Sequence, residues 1–287
     1  MGRKIVVLAL AVMMILAEDS ALSDSQKADL DKRKETPQET FSRLSALYAH
    51  EAIYILPYYH SFSPTYDNNV ATETKFQFSF RIPMFSIGEH NKFFFAYTQT
   101  AFFQNYNDLD SKPFRDTDYA PELYWSYEGI NDIVRWVQLG YKHISNGERA
   151  LRSRTQNQIM LKVRLQYDTS WGLKIGTIAR TWIWMSLHYE GYLHDNSDLA
   201  RYRGYADLFL YLKYNNHLLE FKASPIVSDI GFWKPHFEVG YTYRLTKNLG
   251  IYAQYSNGYG DNIYEYNIHS NRLGIGLRLW QGVFDGS

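Results

Sequence analysis

No cysteine occurs among the 287 residues, so disulfides, thiolate metal sites, zinc fingers and cysteine nucleophiles are excluded in any compartment. Net charge is also missing. The 30 Lys and Arg balance 30 Asp and Glu, which leaves no bulk attraction to nucleic acid. Beyond the N-terminus no apolar run approaches the ~20 residues that a membrane-spanning helix needs, which excludes a helical membrane protein.

Aromatic residues are plentiful: 25 Tyr, 17 Phe and 7 Trp. The mean hydropathy is nevertheless negative. A transmembrane barrel combines these features, because each strand turns one residue to lipid and the next to the lumen, and its hydrophobicity is hidden in alternation. A soluble all-β protein alternates too, and is the plainer alternative.

Met1 to Ala17 opens with Arg3 and Lys4, runs apolar from Ile5 to Ala17 and turns acidic at Glu18 and Asp19. This is the pattern of a secretory signal peptide over residues 1–17. Residues 18–45 are charged, without strand periodicity, and read as a polar periplasmic segment. From residue 46 the expectation is a barrel to residue 287, with twelve segments of strand length separated by turn chemistry.

Several segments carry a two-sided code. Phe76, Phe78, Phe80 and Ile82 alternate with Lys75, Gln77, Ser79 and Arg81, and Leu273, Ile275, Leu277 and Leu279 alternate with Arg272 and Arg278. Inward charges of both signs predict a lumen crossed by ion pairs rather than a wide channel. Connections alternate between tight and long, as periplasmic turns and outer loops do. The aromatic groups Phe93 to Phe95, Trp182 to Trp184 and Tyr264 to Tyr266 read as membrane-interface girdles.

The chemistry concentrates at Tyr141-Lys142-His143-Ile144-Ser145-Asn146-Gly147, followed by Ser153, Arg154 and Asn157. On a strand, residues two apart share a face, so His143 and Ser145 stand beside Val137, Leu139 and Tyr141. Asn157 falls in line with Ile159, Leu161, Val163 and Leu165. All three polar groups thus lie on the apolar side, at the edge of hydrocarbon, where polar side chains are functional candidates. A serine hydroxyl needs a base, and the base needs an orienting group; His143 and Asn157 offer those roles to Ser145. A lone His-x-Ser pair is also common as interfacial decoration, and the shared face with Asn157 argues against that.

The pattern Tyr-x-His-x-Ser-Asn-Gly with Ser-Arg-x-x-Asn downstream, together with Ser111-Lys112-Pro113-Phe114-Arg115 upstream and Tyr255-Ser256-Asn257-Gly258 near the end, resembles the outer-membrane phospholipase A family. The resemblance implies a twelve-stranded antiparallel transmembrane β-barrel in the cell outer membrane, active as a homodimer. It implies calcium-dependent hydrolysis of phospholipid acyl esters, of phospholipase A1 and A2 type. By position, Ser145 attacks, His143 takes the proton, Asn157 holds His143 and the Gly147 amide serves the oxyanion. Calcium falls on the carbonyls of Glu148 and Ser153, with Ser111 from the neighbouring subunit, and Asp195 matches a second, weaker position. Hard oxygen ligands suit that ion. Glu148, where relatives carry a basic residue, brings a carboxylate of its own.

Gln99 matches a polar residue that the family buries between subunits in the membrane; a hydrogen bond inside the lumen is the other reading. Arg154 is placed to orient lipid phosphate or support the calcium loop, or simply to meet solvent. A passive channel or structural barrel with an inert polar cluster remains the alternative to the phospholipase.

Overall fold

The computed structural model describes residues 47–108, 113–185 and 196–280. Twelve strands make up almost all of it: β1 (Tyr54–Ser61), β2 (Thr72–Ile87), β3 (Asn91–Phe103), β4 (Phe114–Glu128), β5 (Val134–Ser145), β6 (Thr155–Asp168), β7 (Lys174–Trp184), β8 (Ala206–Tyr214), β9 (His217–Val227), β10 (His236–Arg244), β11 (Leu249–Tyr259) and β12 (His269–Leu279). Each pairs antiparallel with the next, and β1 pairs with β12 to close the barrel. Closure satisfies the backbone without leaving an edge, which hydrocarbon requires. Among the described residues no helix is long and apolar enough to cross a membrane.

The pleat sorts the side chains as the alternation predicts. Along β6, Gln156, Gln158, Lys162, Arg164 and Gln166 are buried in the lumen, whereas Ile159, Leu161 and Leu165 are exposed on the outer surface. Aromatic side chains exposed near the short turns, among them Phe85, Tyr167, Trp171, Tyr214 and Tyr243, form the girdle expected at a membrane interface.

The aromatic triplets of the sequence join that girdle only in part: Phe93 stacks on Phe85 at 4.4 Å, but their middle residues and the last triplet do not. Phe94 is buried against Ala96 and Tyr124, Trp182 lines the interior cavity, and Tyr264 and Tyr266 lie in the β11–β12 loop. Consecutive residues on a strand point to opposite faces, so a triplet cannot lie wholly on one side.

Turns after β2, β4, β6, β8 and β10 are short, and the opposite ends carry longer connections, one with a short helix, α1 (Leu199–Arg203). The long-loop end faces outward and the short-turn end faces the periplasm.

Ion pairs cross the lumen. Glu122 contacts Lys162 and lies 3.4 Å from His50 and 3.7 Å from Lys142. Arg180 grips Asp207 through Nε and Nη2 at 2.6 and 2.7 Å, and Arg278 holds Glu220. At the outer mouth Arg115 binds Glu73 at 2.7 Å and Asp261 at 3.0 Å and contacts Glu265, while Arg272 reaches Glu73 at 3.0 Å. Burial pushes the Asp261 carboxyl up, but the charges of Lys75, Arg272 and Arg115 outweigh it and hold the carboxyl well below the usual range. Residues 47–52 extend this lining at the periplasmic end: Tyr48 pairs with Arg81 of β2 through its backbone, and Glu51 meets Lys142 at 3.4 Å and Arg180 at 3.6 Å.

Candidate active site

The β5–β6 register sets His143 directly opposite Asn157. Both side chains take the outer face, since their neighbours along the strands, Leu139 and Leu161, are exposed there and the intervening Lys142 and Gln158 are buried in the lumen. His143 Nδ1 lies 2.7 Å from Asn157 Oδ1, and the Tyr141 hydroxyl donates to the same oxygen at 2.7 Å. An amide oxygen only accepts, so Nδ1 carries the proton and Nε2 keeps its lone pair free. Asn157 is 1% exposed; a carboxamide this well enclosed, with its oxygen doubly bonded, fixes both the tautomer and the plane of the imidazole.

Ser145 ends β5 two residues beyond His143 and pairs with Tyr119 of β4 on one side and Thr155 of β6 on the other. Its Oγ accepts the Gly147 amide at 3.2 Å. Among the described residues no hydrogen bond joins Ser145 to His143. Such contacts tighten when a substrate is bound. Gly147 has φ +66°, a left-handed conformation that favours glycine, and this curl turns its amide back toward Ser145. The Tyr119 ring flanks the same corner, 3.4 Å from where a Gly147 Cβ would stand.

Asn146 braces the loop from inside. Its Oδ1 accepts the amides of Glu148 at 3.3 Å and Arg154 at 2.9 Å, and its Nδ2 donates to the Arg152 carbonyl at 2.8 Å. Arg154 donates to the carbonyls of Leu151 at 2.8 Å and Ser153 at 2.7 Å, and its guanidinium lies over Tyr264 and Tyr266 at 5.2 and 5.7 Å. The sequence pattern assigns no role to Asn146 or Tyr141. Tyr141 shares the face of His143 by the two-residue rule; Asn146 faces the other way, and nothing in the sequence marks it as a brace.

Ser111 and Asp195 lie outside the described residues. Glu148 is exposed on the loop, and no group of three or more His, Cys, Asp or Glu side chains able to hold a metal occurs among the described residues. A cation here would rest on main-chain carbonyls, the Glu148 carboxylate, water and groups from a second molecule. Such an all-oxygen set fits calcium and does not fit zinc. Gln99 lies on the outer face of β3, since Thr98 beside it is buried in the lumen. The Tyr97 hydroxyl donates to its Oε1 at 3.2 Å, and its Nε2 has no partner among the described residues.

A closed strand wall with a polar cluster on its outward surface defines the class: an outer-membrane β-barrel enzyme. The phospholipase A1 family matches residues 30–279, and the chain belongs to that family. It is 30% identical over 224 residues to phospholipase A1 of Salmonella typhimurium, covering 74% of this chain and 71% of that one. It is similar in structure to outer-membrane phospholipase A from Escherichia coli, solved also as an active-site asparagine-to-alanine mutant, with TM-score 0.73, 25% identity, and 88% and 96% of the two chains covered. The Salmonella typhi outer-membrane phospholipase dimer with bound calcium matches with TM-score 0.71 and 27% identity, covering 82% and 93%. The protein is a phospholipase of the bacterial outer membrane.

Proposed function

We propose that Ser145, His143 and Asn157 hydrolyse phospholipid acyl esters at the outer wall. The single observation that carries this reading is the 2.7 Å contact between His143 Nδ1 and Asn157 Oδ1 on the lipid-facing side, with Ser145 one pleat away. Ser145 Oγ attacks the ester carbonyl carbon while His143 Nε2 takes its proton, and Asn157 keeps the imidazolium Nδ1–H bonded. The oxyanion receives the Gly147 amide. The intermediate collapses, the leaving alkoxide takes the proton from His143 and departs as the lyso-lipid. Water, deprotonated by His143, then cleaves the acyl-serine, releasing the fatty acid and restoring Ser145. Leu139 and Leu161, paired across β5 and β6 and exposed, offer acyl chains an apolar bed beside the serine.

Calcium held by the carbonyls of Glu148 and Ser153, with the Glu148 carboxylate and Ser111 of a second copy, would supply positive charge near the oxyanion that the neutral Asn157 does not. Asp195 is proposed as a weaker second position. The relative solved as a calcium-bound dimer supports both calcium and a homodimer, and the active-site asparagine of the Escherichia coli enzyme supports the role of Asn157. Gln99 is proposed at the dimer contact, where its unpartnered amide would find an acceptor. Residues 1–17 are proposed as an export signal and 18–45 as a periplasmic segment preceding the barrel.

The test is phospholipid hydrolysis by detergent-folded protein, with calcium or with chelator. Wild type with calcium releases fatty acid; Ser145→Ala does not. Retained turnover in Ser145→Ala would overturn the assignment.

A further inference from the structure

The β5–β6 loop contains one 3₁₀ turn, Ala150–Arg152, and a turn this short leaves its last carbonyls without partners of its own. Side chains of the loop answer them. Asn146 Nδ2 donates to the Arg152 carbonyl at 2.8 Å, and Arg154 Nη1 donates at once to the carbonyls of Leu151 at 2.8 Å and Ser153 at 2.7 Å. Two main-chain oxygens thus converge on one positively charged nitrogen. A loop whose carbonyls gather in this way is a cradle for a cation, and the cation that fills it is the loop's own side chain.

The backbone of Arg154 is fixed, and its side chain is not. Its amide donates to Asn146 Oδ1 at 2.9 Å, its carbonyl accepts the Asn146 amide at 3.2 Å, and Thr155 after it enters β6 opposite Ser145. The guanidinium makes no ion pair among the described residues. Its other neighbours are the ring faces of Tyr264 and Tyr266, 5.2 and 5.7 Å away. Those rings are anchored in turn, for the Tyr264 amide donates to Asp116 at 2.9 Å and the Tyr266 hydroxyl bonds Asp198. An aromatic face attracts a guanidinium without using its N–H groups, so the two tyrosines can keep hold of Arg154 after it gives up the carbonyls.

We propose that Arg154 is an internal competitor for calcium, an inference that rests on the assignment of the Ser153 carbonyl to the calcium position. When calcium is scarce, the guanidinium occupies that carbonyl and keeps the loop in shape. When calcium is plentiful, the guanidinium releases the carbonyl and stays on the Tyr264 and Tyr266 faces. A guanidinium and a divalent ion on one oxygen repel each other at close range, so the two occupancies exclude one another. Arg154 thereby raises the calcium concentration at which the site beside Ser145 is completed. A residue that merely propped the loop for calcium would act with the opposite sign, and its loss would weaken binding.

Calcium is titrated calorimetrically into the full-length protein folded in a zwitterionic detergent. Arg154→Met keeps an unbranched side chain and removes the charge and the donors. It is expected to bind calcium about tenfold more tightly than wild type, the gain from deleting one competing charge-assisted contact, and to reach half-maximal hydrolysis at a correspondingly lower calcium concentration. Arg149 is exposed on the same loop and makes no side-chain hydrogen bond or ion pair among the described residues; Arg149→Met removes a solvated charge and should shift the affinity less than about twofold. The fast electrophoretic migration of the unheated barrel verifies that each variant is folded. Unchanged or weaker calcium binding by folded Arg154→Met, or an equal gain in Arg149→Met, would overturn the proposal and leave the calcium position standing. Absence of calcium binding from both wild type and Arg154→Met would overturn the calcium position itself, and this inference with it.

Discussion

Gln99 and Ser145 lie in one cross-strand row: Gln99 of β3 is registered with Tyr119 of β4, and Tyr119 with Ser145 of β5. Two strand spacings put their backbones roughly 10 Å apart, with the Tyr119 ring between them on the same outer face. A second barrel seated against Gln99 would therefore lie next to the serine and wall off a cleft there. Gln99→Leu removes the amide that needs a partner in hydrocarbon. It is expected to weaken the proposed dimer by about 1 kcal/mol, as loss of a transmembrane polar contact does. Sedimentation of the detergent-folded protein with calcium measures this, and activity should fall only at protein concentrations where the variant dissociates. An unchanged dimer constant would remove Gln99 from the interface.

Asn157 receives two hydrogen bonds on one oxygen, from His143 and Tyr141. Asn157→Ala frees the imidazole to rotate and to take the wrong tautomer, so kcat should fall at least about tenfold, the equivalent of one fixed hydrogen bond. Tyr141→Phe removes only the second donor and should cost less. If Tyr141→Phe proved the more damaging, Asn157 would not be the group that orients His143. Steady-state kinetics on a monomeric lipid substrate distinguishes the two.

Much of the wall and its outer-face cluster is legible in the amino-acid sequence. The two-residue alternation is a local consequence of the pleat, so both the barrel and the outward face of His143, Ser145 and Asn157 follow from it. What is not legible depends on partners far along the chain. The charged run Arg115-Asp116-Thr117-Asp118 shows no apolar alternation, yet it belongs to β4: Arg115 is neutralised by Glu73 and Asp261, and Asp116 accepts the Tyr264 amide at 2.9 Å. Charge excludes a strand only when nothing across the lumen answers it. Asn146 is hidden for a similar reason, since its three hydrogen bonds go to a loop whose path the sequence does not specify.

Gly147 couples loop shape to chemistry. Its φ of +66° costs a residue with a Cβ about 1–2 kcal/mol, and the Tyr119 ring, at 3.4 Å, leaves room for the methyl itself. Gly147→Ala should therefore fold normally and shift the amide away from the oxyanion. A drop in kcat with little change in KM is the expected signature, because in the proposed mechanism the amide engages charge that develops only in the transition state. A rise in KM alone would assign the glycine to substrate binding instead.

Glu148 provides a carboxylate next to the proposed calcium carbonyls. Glu148→Gln keeps the carbonyl and loses the charge, so calcium affinity should fall about tenfold while activity at saturating calcium is largely retained. A calorimetric calcium titration beside an activity titration separates affinity from turnover. Calcium dependence identical to wild type would leave only the main-chain oxygen of Glu148 in the site.

Glu122 tests whether the lumen network stabilises the wall. It answers Lys162, Lys142 and His50 together from a nearly fully buried position. Glu122→Gln leaves Lys162 and Lys142 without that carboxylate, and breaking a buried pair in this way costs about 3–5 kcal/mol. The temperature at which the barrel loses its fast electrophoretic migration should drop accordingly. Adding Lys162→Met to Glu122→Gln removes the larger part of the uncompensated charge and should recover some of the loss, which a simple volume defect would not do. Because Glu122 faces the lumen and Ser145 the membrane, turnover well below the melting temperature should be close to wild type in both variants; a parallel fall in kcat would mean that the interior charges reach the outer-wall chemistry through the strands.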